Sequence, residues 1–172
     1  MMWRERLLLT TGSLPCEPYH RAKGHAVEAA EAIVRAAIEE AQTLAARAVD
    51  RLIGEFGGRG CELVAAGIVL GSGRPEFTLS QALSTHAAMH NAEGWLYREA
   101  LMRASEECGL RVVGALEASV YAEAAVQAGV PPGTLEARVA EFRQQMGPPW
   151  TRDQKLASAV AWLALAQASR PR

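Results

Sequence analysis

Between residues 25 and 54, apolar side chains return every three or four positions. Ala26, Ala30, Ile33, Ala37, Leu44 and Ala48 mark the series, with few breakers before Gly54. This spacing predicts a long amphipathic helix, and the glycines of "EFGGRG" suit its end. Residues Leu63 to Leu70 are apolar on both parities, the pattern of a strand covered on both faces. A second long helix is predicted from Leu79 to Cys108, where Gly109 stops it. "LRVVGALEAS" predicts another strand, and the short run Leu7 to Thr11, closed by Gly12, a first one. Between that run and the first helix, "GSLPCEPYHRAKG" holds two prolines and two glycines and is expected to be a loop.

Three further helices are predicted, Val120 to Ala128, Leu135 to Gln145, and one opening at Thr151 after the break "GPPW". Thr151 with Gln154 makes a capping box, Trp150 is placed to act as a hydrophobic staple, and Asp153 in the first turn suits the helix dipole. Long helices between strands favour parallel crossovers. The expected fold is therefore α/β, a three-layer α/β/α sandwich. It has a small, mainly parallel sheet of about three strands and long alanine-rich helices. It is expected as a single domain over 1–172, with the C-terminal helix 151–168 packed on it. The first helix spans roughly 45 Å at ~1.5 Å per residue, longer than a small domain needs, which fits a homodimer.

At ~100° per residue, Leu79, Leu83, His86, His90, Tyr97, Leu101, Ala104 and Cys108 fall on one stripe of the second long helix, with Glu93 near its edge. The histidines occupy places where leucines are expected, and unpaired polar groups there cost about 1–3 kcal/mol each. Three readings stay open. A hydrogen-bond network satisfies them. A metal site uses His86 and His90 at i and i+4 with Glu93 as third ligand, although the inner HE pair of an HExxH motif is absent. A substrate pocket uses a histidine as general base.

Composition narrows the function classes. The chain has 172 residues, 49% apolar and 22% charged, which is the balance of a globular protein. Aromatics are only 6%, so the core is aliphatic. A formal net charge of −1 gives no global field toward nucleic acid, which stays a partner unsupported by charge, or toward a membrane surface. Cys16, Cys61 and Cys108 form no CxxC pair, pointing to a reduced, cytoplasmic setting. The apolar run in "MMWRERLLLTTG" is too short for a signal core or a membrane span.

In an open parallel sheet, loops at the carboxyl ends of strands gather around one crevice. Such loops here bring His20 and Arg21, then Ser72 and Arg74 of "GSGRPEF", as candidate ligand-binding residues. "GSGRP" lacks the Walker lysine and a full GxGxxG. Cys16 with His20 is a conceivable thiolate pair. Glu117 ends the strand "LRVVGALEAS" and is a candidate carboxylate.

The stretches "VAAGIVLGSGRPEF", "GLRVVGALEASVYAEAA" and "TRDQKLASAVAWLAL" together resemble the second half of RNase-H-like domains of the Holliday-junction-resolvase type, over roughly residues 64–165. The resemblance implies a metal-dependent nuclease. In it Glu117 matches the strand carboxylate and Asp153 the helix carboxylate, the pair holding magnesium ions that activate water. The chain departs from that pattern at "LLLTTG", which has no first-strand aspartate and leads toward a long helix.

Two functions follow as expectations. One is a metal- or acid/base-dependent hydrolase of a phosphate-containing substrate, with catalytic candidates His90, Glu93, Glu117 and Asp153, and with a divalent metal as candidate cofactor on His86, His90 and Glu93. The other is a non-catalytic ligand-binding or homo-oligomeric module in which the core histidines and glutamate are structural.

Overall fold

The computed structural model describes residues 3–12, 16–73 and 78–169. Among them run helix α1 (Pro18–Ala22), α2 (Val27–Gly58), strand β1 (Ala65–Val69), α3 (Leu79–Ala82), α4 (His86–Glu107), strand β2 (Arg111–Ala115), α5 (Val120–Ala128), α6 (Pro132–Met146) and α7 (Arg152–Ala168). The mixed α/β class is as expected, and the strands are parallel. The sheet has two strands among the described residues instead of three. Leu7 to Thr11 carries no strand. Leu8 is 68% exposed, so the apolar run is not the inner strand that its composition suggests.

Contacts group the chain into two compact units, although its length suggests one domain. The first comprises Met1–Arg6, Phe56–Ser72 and Gly109–Arg172; the second comprises Leu7–Glu55 and Gly73–Cys108. In the first unit β1 and β2 pair in register from Ala65↔Arg111 to Val69↔Ala115. Helix α7 packs on both strands and on α5. Its approach to β1 is close: a Cβ on Gly67 would lie 2.6 Å from the Val160 carbonyl oxygen, so glycine is what lets helix and strand backbones meet there. Val113, Val120, Leu135, Val160 and Leu163 fill the core between these elements. Aliphatic side chains dominate it, as the low aromatic content requires.

Helix α7 opens with the expected capping box, Gln154 Oε1 accepting the Thr151 N–H at 2.8 Å. The expected staple is absent, because the position that a staple needs one turn into the helix is Lys155. Trp150 instead donates its indole N–H to the Val139 carbonyl at 3.1 Å and packs edge-on against Phe142. Residues Pro148 and Pro149 accept from the guanidinium of Arg4.

The second unit is helical. Two differences from the sequence expectation matter for the site. The proline-rich segment expected as a loop contains α1, with Pro18 in its first turn, where a missing N–H costs nothing. Helix α2 ends at Gly58, within the stretch "EFGGRG" expected to close it. The helix expected over 79–108 is broken: Thr78 and Gln81 form a capping box that starts α3, and Thr85 caps α4 by accepting from the Ala88 N–H at 3.1 Å. Ala22, Ala30 and Val34 are the buried centre of an apolar cluster in this unit, packed against Tyr19, Ile33, Ile38, Leu79 and Leu83. Among the described residues, no helix is long and apolar enough to cross a membrane.

Candidate metal centre

The break before His86 resets the phase of α4. Its buried positions are Met89, Ala92, Glu93, Leu96, Ala100, Ala104 and Ser105. The stripe that continued Leu79 and Leu83 through His86 and His90 is thus displaced around the helix. His86 and His90 are exposed, contrary to the expectation of a core position, and Glu93 is the buried polar group, 5% exposed.

What buries Glu93 is α1. Its Oε1 accepts the backbone N–H groups of Tyr19 and His20 at 3.1 and 3.2 Å, and the His20 ring nitrogen Nδ1 at 2.9 Å. One carboxylate therefore satisfies two of the orphan donors at the start of α1 and orients the imidazole. A second tie runs beside it, Tyr97 donating its hydroxyl to the Cys16 carbonyl at 2.8 Å. The Tyr97 hydroxyl is pushed up to about 12, first by burial and then by the negative charge of Cys16 and Glu93. The Tyr19 hydroxyl is also raised, by burial first and then by Glu99 and Glu93.

With α1 so placed, His20 meets the two histidines of α4. His20 Nε2 lies 2.8 Å from His86 Nδ1, and His86 Nε2 lies 3.0 Å from His90 Nε2. The ring centroids are 4.8, 4.6 and 4.3 Å apart in the pairs 20–86, 20–90 and 86–90. One nitrogen from each ring falls in a group whose members all lie within 4.8 Å of one another. For comparison, a tetrahedral ion bonded to nitrogen at about 2.0–2.1 Å separates neighbouring ligand atoms by roughly 3.3 Å.

Proton placement constrains this ring of contacts. Glu93 Oε1 already accepts two backbone N–H groups, so it meets His20 as an acceptor too. His20 then carries its proton on Nδ1 and turns the Nε2 lone pair to His86. His86 Nδ1 must donate to it, which leaves His86 Nε2 to accept from His90 Nε2. The bare Nδ1 of a neutral His90 would then face Glu93 Oε2, 3.4 Å away, acceptor against acceptor. One positive charge removes the conflict. A cation on the three ring nitrogens lets His90 keep its proton on Nδ1 and point it at Glu93; an added proton on His90 also does so.

All four of these residues are candidates on the sequence, in a different grouping: the helical spacing pairs His86 and His90 with Glu93 as ligands and leaves His20 in a loop. The geometry puts His20 in the trio and Glu93 behind it. Arg21 follows His20 in α1 and is exposed. Ser72 is exposed, after Gly71 with a φ of +64°; Arg74 lies outside the described residues.

Glu117 and Asp153 belong to the other unit. Glu117 Oε1 is ion-paired with Arg152 Nη2 at 2.6 Å, and its N–H donates to the Gly71 carbonyl at 3.0 Å. Asp153 is exposed in the first turn of α7. The residues fit a magnesium pair poorly, since Arg152 already neutralises Glu117. Among the described residues, neither carboxylate joins a group of three ligating side chains close enough to share one ion. No known protein-family profile matches the chain, and no curated protein or solved structure matches it either.

Proposed function

We propose that this protein is a metal-dependent hydrolase whose centre is a divalent ion held by His20, His86 and His90. The observation that carries the reading is the convergence of three imidazole nitrogens from two helices, with the buried carboxylate of Glu93 orienting His20. Imidazoles backed by a carboxylate are the usual construction of protein metal sites. An ion supplies the one positive charge that closes the ring, and one nitrogen of each imidazole lies within 4.8 Å of the others, which supports an ion there.

Exposure separates a catalytic centre from a structural one. Structural sites are closed by four protein ligands, whereas catalytic sites keep a position for water. Here three ligands converge and two of them, His86 and His90, are exposed, so water reaches the ion. An ion in such a site lowers the proton affinity of bound water and supplies a nucleophile near neutral pH. The chain's own residues hold the ion, fix the His20 tautomer and keep the centre open. A phosphate-containing substrate is the class proposed, with the exposed Arg21, which follows His20 in sequence, as the candidate cation for it.

The test is hydrolysis of p-nitrophenyl phosphate and bis(p-nitrophenyl) phosphate by chelator-treated protein with single divalent ions restored. Activity is expected to return with an ion and to fall to background in both His86→Ala and His90→Ala. Metal-restored turnover that persists in both variants would remove the proposal.

A further inference from the structure

The trio also carries information about which ion it takes and what taking it does to the fold. This step rests on the metal-centre reading above. All three candidate donors are ring nitrogens. The nearest carboxylate is not free to join them: Glu93 Oε1 is engaged by Tyr19 N–H, His20 N–H and His20 Nδ1, and Oε2 lies 3.1 Å from the same Nδ1. Magnesium and calcium require oxygen ligands, and magnesium also requires near-octahedral order. Three imidazoles suit borderline ions such as zinc, cobalt or nickel.

The donors also come from very different places in the chain. His86 and His90 are neighbours on one helix, but His20 is 66 residues from His86 and stands on a helix of five residues. So short a helix has little stability of its own. Its placement rests on the burial of Pro18 and Ala22, on the Glu93 carboxylate and on the tie from Tyr97 to Cys16. An ion bonded to His20 and to the α4 pair adds a further fastening.

We infer that the trio takes a nitrogen-preferring divalent ion of the zinc class and not magnesium, and that its uptake fastens α1 onto α4. Arg21 and Lys23 are exposed on and just after α1, so trypsin reports the fastening directly. Chelator-treated full-length protein is titrated separately with zinc, cobalt and magnesium. Binding is read by calorimetry and by the visible bands of cobalt, and cleavage after Arg21 and Lys23 is timed with each ion.

The expected result is one zinc or cobalt per chain, no magnesium heat, and cleavage slowed roughly tenfold or more at saturating zinc, since an ion that binds only the docked state suppresses the open one. His20→Ala should lose the protection. Because that variant also alters α1 itself, His86→Ala, on an exposed position of α4, should lose it too. His25→Ala, whose side chain is outside the trio, should keep it.

Equal binding of magnesium, zinc uptake with unchanged cleavage, or the absence of any binding each overturns the inference. Failure of the hydrolase reading looks different. A chain that binds zinc and tightens α1 yet hydrolyses nothing keeps the inference and loses the activity. A chain whose turnover is supported by magnesium and not by zinc, and is lost in His86→Ala and His90→Ala, loses this inference and keeps the hydrolase.

Discussion

The ring nitrogen Nδ1 of His20 donates to Oε1 of Glu93 at 2.9 Å, across 73 positions of sequence. The same oxygen accepts the peptide N–H groups that begin α1. Glu93 is therefore both the anchor of a short helix and the group that fixes which nitrogen of His20 is bare.

Those two roles separate by substitution. Glu93→Gln keeps a carbonyl oxygen for the peptide donors but removes the charge behind the imidazoles, and should weaken zinc binding by about 10–100-fold with a small change in stability. Glu93→Ala leaves two N–H groups without their acceptor and should also lower unfolding stability by about 1–3 kcal/mol. Calorimetry with zinc and urea denaturation measure the two effects; equal zinc affinity in Glu93→Gln and the parent protein would contradict the orienting role.

Tyr97 gives a pH signature. Its hydroxyl is raised to about 12 in the fold, above the usual value of about 10 for an unfolded tyrosine. The folded state thus holds this proton more tightly. The resulting stability is fully present below about pH 10 and is lost as pH rises toward 12. Tyr97→Phe should reduce the loss of stability over that window and should loosen the tie to Cys16. Urea midpoints at a series of alkaline pH values check this, with an unchanged slope in the variant as the contrary result.

Gly67 sits where α7 crosses β1. Gly67→Ala places a methyl carbon 2.6 Å from the Val160 carbonyl oxygen, and backbone cannot step aside as a side chain can. A loss of about 1–3 kcal/mol is expected, read as a lower urea midpoint. A midpoint equal to the parent's would show that α7 is not held against the strand at this point.

The sequence made some of this arrangement readable. The two parallel strands, the long alanine-rich α2 and the Thr151 capping box all follow from local pattern, and the structure carries each of them. His86, His90 and Glu93 stood out because polar groups interrupted a helical series. The apolar series continues in phase through Ser84 and Thr85 and so groups these three as ligands, although a threonine before a helical run is an N-cap signal, as is Thr78 with Gln81 three positions on. Once Thr85 starts a new helix, the phase shifts, the histidines move outward and Glu93 moves in. His20 was hidden for a different reason. It stands in a stretch whose glycines and prolines suggest a loop, and its role depends on a contact with α4 that no local pattern encodes. Pro18 after Glu17 was the available hint of a helix start. Leu7 to Thr11 shows the opposite difference: an apolar, β-branched run has strand character, but it pairs with no strand among the described residues.

The most direct test of the account is the zinc-edge X-ray absorption spectrum of the zinc-loaded protein. The account predicts three imidazole nitrogens at about 2.0–2.1 Å with one light oxygen donor completing the shell, and loss of one imidazole in His20→Ala. A first shell with two or fewer imidazoles, or one unchanged by His20→Ala, would contradict it.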